Sequence, residues 1–87
     1  MDDRKVSEPW GARLKRLRVA KGLSRPEFAA ALAALAALGR RIEGSEVAKY
    51  EESSYYPRVP TFAAMARVLG VSMEALLFGE EAGRITA

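Results

Sequence analysis

The chain contains no cysteine, no histidine, no asparagine and no glutamine, and its only two aspartates, Asp2 and Asp3, stand within the first three residues. Each absence excludes a class of chemistry. Without cysteine there is no disulfide framework, no thiolate metal site and no thiol nucleophile. Without histidine the commonest general base and metal ligand is missing as well. With aspartate confined to positions 2 and 3, neither a Ser-His-Asp triad nor a typical EF-hand loop can be assembled. The expectation is a protein that is not an enzyme and that carries no cofactor and no metal, its stability resting on side-chain packing.

Long hydrophobic runs are also missing. The longest, Phe28 to Leu38, is 11 residues, against the roughly 20 that a membrane span needs. Met1 to Lys21 is polar and basic and has no apolar stretch of signal-peptide length, so a cytoplasmic location away from membranes is expected. A chain of 87 residues forms one small domain, which buries roughly 60 to 65% of its unfolded surface.

The charge is unevenly placed. Up to Arg41 there are ten Lys or Arg against four Asp or Glu, a net +6, and beyond it four against seven, a net −3. Between Arg4 and Arg25, eight basic residues (Arg4, Lys5, Arg13, Lys15, Arg16, Arg18, Lys21 and Arg25) face one acid, Glu8. Such a cluster is either an electrostatic footprint for a polyanion or a solvated basic helix face.

The punctuation predicts five helices and no strand. Ser7-Glu8-Pro9 reads as a start, and Trp10, Leu14 and Leu17 repeat at helical spacing to Gly22, giving a helix over about 9–21. Ser24-Arg25-Pro26-Glu27 has the form of a capping box. It opens a second helix with Phe28, Ala29, Leu32, Leu35 and Ala36 along one side and Gly39 as its stop. Gly44-Ser45 offers a cap for a short third helix, about 46–52, whose inner face carries Val47 and Tyr50. The stretch 53–60, with two Pro and two Ser, is a loop. Phe62, Met65, Ala66 and Leu69 mark a fourth helix closed by Gly70. Ser72 caps a fifth, through Leu76, Leu77 and Phe78 to Gly79. The tail from Glu80 shows no periodicity and reads as flexible.

Taken together, Leu14-x-x-Leu17-Arg18-x-x-x-Gly22-Leu23-Ser24-x-x-x-Phe28-Ala29, then Val47-x-x-Tyr50-Glu51, then Pro57 and Phe62-x-x-Met65-Ala66-x-x-Leu69-Gly70-Val71-Ser72-x-x-x-Leu76-Leu77 resembles the lambda-repressor and Cro-like (XRE) helix-turn-helix family. The resemblance covers about residues 14–79 of a single domain, 1–79, with 80–87 as the tail. It implies an all-α, five-helix domain whose third helix enters the DNA major groove.

One spacing departs from the family. Phe28 and Glu51 lie 23 positions apart, about eight more than the family pattern, or a little over two helical turns. The extra residues fall within 33–44. Either the second helix is longer or the turn after it is, and the turn would then carry Arg40 and Arg41. A second register, with Glu43 in place of Glu51, would put Gly39 inside the recognition helix. The Glu51 register keeps the ordinary distance to Pro57 and lets Ser45 cap.

The resemblance also assigns roles. Arg18 and Glu51 occupy the positions that pair across the first and third helices, where a bidentate arginine-carboxylate bond would fix the recognition helix. Arg25, at the start of the second helix, matches a position that touches the DNA backbone. Arg58 and the hydroxyls of Tyr55 and Tyr56 are placed to do the same from the loop, and Arg40 and Arg41 from the insertion. For the two tyrosines, packing on the core edge is the other reading. Ser45, Glu46 and Lys49 are the candidates to meet base edges.

The missing Asn and Gln remove the bidentate adenine contact and leave Lys to guanine, Glu to cytosine and Ser to either. Glu43 and Glu46 repel phosphate, so each must meet cytosine, pair with Arg40 or Arg41, or point away. Specificity through DNA shape, or through Arg40 and Arg41, is the other route. The function implied is a sequence-specific, repressor-like transcriptional regulator that binds double-stranded operator DNA as a homodimer. The alternative is a protein-interaction module or antitoxin component of the same fold, favoured by the acidic third helix and the insertion. The run Phe28 to Leu38 is read either as a well-propagating packed helix or as a contact for a second subunit at Leu35 and Leu38.

Overall fold

A computed structural model describes residues 8–37, 39–53 and 55–79. The expectations for Asp2, Asp3, Arg4, Lys5, Ser7, Leu38, Ser54 and the tail 80–87 lie outside the described residues. Five helices follow in order: α1 Trp10–Ala20, α2 Arg25–Ala36, α3 Gly44–Glu51, α4 Val59–Leu69 and α5 Met73–Phe78. Among the described residues there is no strand, and no helix is long and apolar enough to cross a membrane.

Local chemistry sets most of the ends. Ser24 Oγ accepts from Glu27 N (3.2 Å) while Glu27 Oε1 accepts from Ser24 N (2.8 Å), a complete capping box, with Pro26 in the first turn where no amide is needed. Ser72 Oγ accepts from Ala75 N (2.9 Å) and opens α5. Gly70, at φ 73°, closes α4 in the left-handed conformation that glycine adopts without a Cβ clash.

Ser45, the expected cap of the third helix, does not cap it. The helix begins two residues earlier than expected, at Gly44, with Glu43 in extended backbone and without a side-chain cap bond. The Glu43 carbonyl accepts from Glu46 N and Val47 N instead (3.0 and 3.3 Å). Gly44 allows this start, because a Cβ there would stand 3.3 Å from Pro26 N, in the first turn of α2.

The extra residues between the helix-turn-helix elements divide between helix and loop. α2 runs for 12 residues and stops at Ala37, which takes the left-handed conformation at φ 52°. The chain then returns through a loop that Ile42, 6% exposed, anchors in the core. Glu51 ends α3, whereas Glu43 only precedes it, so the longer register holds.

The core is built from all five helices. Leu14, Phe28, Leu32, Val47, Met65 and Leu76 are fully buried, each worth about 1.5 to 3 kcal/mol relative to exposure. α2 lies against α3 and α4, and α1 bridges α3 and α5. Two residues assigned to apolar faces are on the surface: Leu35 is 47% exposed and Phe78 69%. Both lie in the final turn of their helices, beside Ala36 and Leu77, which face the core.

Arg13, counted in the basic cluster, belongs to neither a polyanion footprint nor a solvated face. It is 4% exposed, and its guanidinium donates to the carbonyls of Leu76 (2.9 Å), Leu77 (3.2 Å) and Glu8 (3.1 Å). The Glu8 carboxylate stands 3.3 Å from Nε. A buried cation thus satisfies C-terminal carbonyls of α5 and joins it to α1. Gly11 makes a second tie. Its N–H donates to Ser53 Oγ (3.0 Å), and the backbones lie so close that a Cβ on Gly11 would come within 2.5 Å of the Glu51 and Tyr50 carbonyl oxygens.

Candidate nucleic-acid interface

α3 is only eight residues long, too short to persist as an isolated helix in water. It is fixed from inside by Val47 and Tyr50, both buried, and at its C-terminal end by Glu51. The Glu51 carboxylate accepts from Arg18 Nε at 2.6 Å through one oxygen and from Arg25 Nε at 3.0 Å through the other. Arg18 further donates to the carbonyl of Leu23 at 2.7 Å. The side chains of Arg18 and Glu51 are 8% and 3% exposed, that of Arg25 42%. One carboxylate therefore gathers α1, the start of α2 and the end of α3. The expected Arg18–Glu51 pair is present, with single-nitrogen geometry in place of the bidentate fork and with Arg25 as a third member.

Of the three residues expected to read bases, Ser45 and Lys49 are exposed on α3 and Glu46 is partly covered. Glu46 is committed to neighbours inside the protein. It accepts from Arg40 Nη1 and Nη2 (3.2 and 3.0 Å) and from the Tyr50 hydroxyl (3.0 Å). The hydrogen bond from Arg40, with a smaller contribution from Tyr50, holds its carboxyl below the ordinary 4.5 against the opposing effect of burial. Burial in turn, and then the Glu46 carboxylate, push the Tyr50 hydroxyl well up. Arg41 Nε lies 3.3 Å from Glu43 Oε2, with both side chains mostly exposed. Of the three readings for the acidic residues, pairing with the insertion arginines is the one found.

Three of the residues expected to meet phosphate, Arg25, Arg40 and Arg41, therefore have acidic partners in the protein, and of these only the bond from Arg25 to Glu51 had no place among the readings of the sequence. Arg58 has no ion-pair partner among the described residues and is exposed. Tyr55 and Tyr56 take the packing reading made for them. Tyr55 packs on Tyr50 (ring centroids 5.0 Å) and Tyr56 stacks on Trp10 (5.3 Å, 20° between planes), yet they remain 43% and 64% exposed. Arg40, Glu46, Tyr50, Tyr55, Tyr56, Pro57, Arg58 and Thr61 line one cleft between α3 and the loop before α4. A shallower groove between the starts of α2 and α3 is lined by Ser24, Arg25, Pro26, Gly44, Ser45 and Ala48.

Two participants were missed in the sequence. Arg13 lies three residues after Trp10 and four before Leu17, and Gly11 lies three before Leu14 and seven before Arg18. Both therefore fall on the inner stripe of α1. The spacing held the signal, but charge and small size argued against it.

A helix-turn-helix domain family model matches residues 10–77. Among solved structures, the P22 c2 repressor protein, crystallised in complex with synthetic operator 9T in the presence of Tl+, superposes with a TM-score of 0.66 at 20% identity. The alignment covers 84% of this chain and 98% of that one. No curated protein matches the chain. The family match runs from the first residue of α1 to the penultimate residue of α5. This chain accordingly belongs to the helix-turn-helix domain family, with the all-α, five-helix, lambda-repressor-like fold.

Proposed function

We propose that the chain is a cytoplasmic, sequence-specific, repressor-like transcriptional regulator that binds operator DNA, with α3 in the major groove. The observation that carries this is the way α3 is mounted. A short helix, held at its C-terminal end by Arg18 and Arg25 through Glu51, presents Ser45 and Lys49 outward. The P22 c2 repressor, whose fold it shares, was crystallised with an operator. Arg58, and Arg25 from its exposed side, would meet phosphates on either side of the groove, with the hydroxyls of Tyr55 and Tyr56 beside Arg58. A homodimer on a two-fold operator, with half-sites about one helical turn apart, completes the reading. No catalytic role is part of it.

The alternative, a protein-interaction module with DNA binding secondary, drew on the acidity of α3. That support weakens here, because Glu46 and Glu43 are paired with Arg40 and Arg41. Selection from a randomised duplex library at two salt concentrations, followed by footprinting, separates the two. A recovered sequence motif supports the regulator. Purely salt-driven binding, or none, supports the interaction module. Within the regulator reading, Arg58→Ala weakens binding to all sequences alike and lowers the salt slope by about one, whereas Lys49→Ala relaxes preference at one position.

A further inference from the structure

The loop between α2 and α3, absent from the ordinary helix-turn-helix spacing, brings an arginine to the outer face of α3 in a defined orientation. Arg40 Nη1 donates to Glu46 Oε1 (3.2 Å) and to the Arg41 carbonyl (3.0 Å), and Nη2 donates to Glu46 Oε2 (3.0 Å). Glu46 is itself fixed by the Tyr50 hydroxyl (3.0 Å), and the Tyr50 side chain is rooted in the core. A guanidinium carries five N–H donors. Three are used in this way, one N–H of each Nη at the end of the group and the second Nη1–H on the side of Cδ. The remaining two, Nε–H and the second Nη2–H, share the other edge as a parallel fork, and neither has an acceptor among the described residues. The side chain is 53% exposed.

We infer that Arg40 is the principal base-reading residue of this domain, that it recognises guanine, and that Glu46 is a positioning residue for it. The inference rests on the DNA-binding reading above. A two-donor fork matches the O6 and N7 acceptors of a guanine edge. With neither Asn nor Gln in the chain and Glu46 already engaged, the bidentate donors left at this face are arginines. Arg40 is the one held by a carboxylate of α3 with its Nε edge left open, whereas Arg58, in the same cleft, has no ion-pair partner among the described residues to orient it. The carboxylate holds the guanidinium plane before DNA arrives, so that less side-chain freedom is lost on binding. A phosphate has acceptors for the same fork, but it would give no sequence preference, and the experiment distinguishes the two.

The test uses the full chain and the duplex motif recovered by wild-type selection, with each variant measured against every single-base replacement of that motif. Arg40→Lys keeps the charge and loses the fork. It is expected to leave the salt slope unchanged while reducing preference for one guanine about tenfold or more. Glu46→Gln removes a negative charge from the DNA-facing side, which by simple electrostatics tightens binding. It is expected instead to weaken preference for that same guanine by several-fold. In the Arg40→Ala background, where there is nothing to position, the same change is expected to tighten binding to every sequence.

The inference is overturned if Arg40→Lys keeps the guanine preference, if Arg40 variants lose affinity equally for all sequences as a phosphate contact requires, or if Glu46→Gln leaves the guanine preference unchanged with Arg40 present. A wild-type chain without any sequence motif would defeat the DNA-reading function as a whole. A motif that is insensitive to Arg40 would defeat only this assignment.

Discussion

Arg18 Nε and Glu51 Oε2 meet at 2.6 Å with both side chains buried, and the second Glu51 oxygen is taken by Arg25. The pair spans 33 positions of sequence and connects the first helix to the end of the third. Replacing Arg18 by alanine leaves a carboxylate in the interior with only the half-exposed Arg25 as partner. A loss of about 3 to 5 kcal/mol is expected, read as a lower denaturation midpoint with the slope unchanged. Arg25→Ala is expected to cost clearly less, since its own charge is already partly solvated.

Gly11 is expected to be intolerant of any side chain. An added Cβ would lie 2.5 Å from two backbone oxygens and from Ser53 Oγ, and the carbonyls at the end of α3 cannot swing aside as a flexible side chain would. Gly11→Ala should therefore cost about 3 kcal/mol, at the upper end of ordinary overpacking, although alanine is the better helix former. A thermal melt showing equal or higher stability would contradict the close approach of α1 and α3.

Ala37 offers the opposite case. It ends α2 in the left-handed conformation at φ 52°, where an L-residue with a Cβ carries a cost of about 1 to 2 kcal/mol that glycine avoids. Part of that gain is offset by the greater freedom of glycine in the unfolded chain. Ala37→Gly is thus expected to raise stability by about 0.5 to 1 kcal/mol, measurable by urea denaturation.

Acid should weaken the fold through two carboxylates with depressed titration. Glu27 is held below the ordinary 4.5 mainly by the hydrogen bond from the Ser24 backbone, and Glu46 mainly by Arg40. A group whose folded value lies below its unfolded value contributes stability above the unfolded value and loses it as pH falls through the folded one. Melting temperature should therefore begin to drop near pH 4.5 and continue below it, and Glu27→Gln with Glu46→Gln should flatten that limb. In a carboxyl titration followed by NMR, Arg40→Ala should return Glu46 toward 4.5.

The elements that were legible beforehand are those written in local chemistry. The Ser24-to-Glu27 box, the Ser72 cap and the glycine at 70 each place a helix end through bonds made within a few residues. The Arg18–Glu51 pair was legible only through resemblance, since nothing at either position announces a partner 33 residues away. What escaped was decided by tertiary proximity. Ser45 reads as a cap, but the approach of Gly44 to Pro26 starts α3 earlier. Arg13 counts as surface charge until its neighbours Leu76 and Leu77 are in place. The pairing of Arg40 and Arg41 with Glu46 and Glu43 was one of three readings left open, and the choice among them depends on how the loop returns, with Ile42 entering the core.

Because Glu51 is held by arginines from two other segments and Gly11 abuts the same helix end, α3 has no means of fraying at its C-terminus without disturbing α1 and α2. Its amides from Val47 onward should therefore exchange with solvent deuterium only through opening of the whole domain, at rates set by global unfolding. The first turn, begun by a glycine and lacking a side-chain cap, should exchange sooner. On the proposed function, α3 would therefore reach DNA with its C-terminal half already set, and little ordering entropy would fall on that half during association.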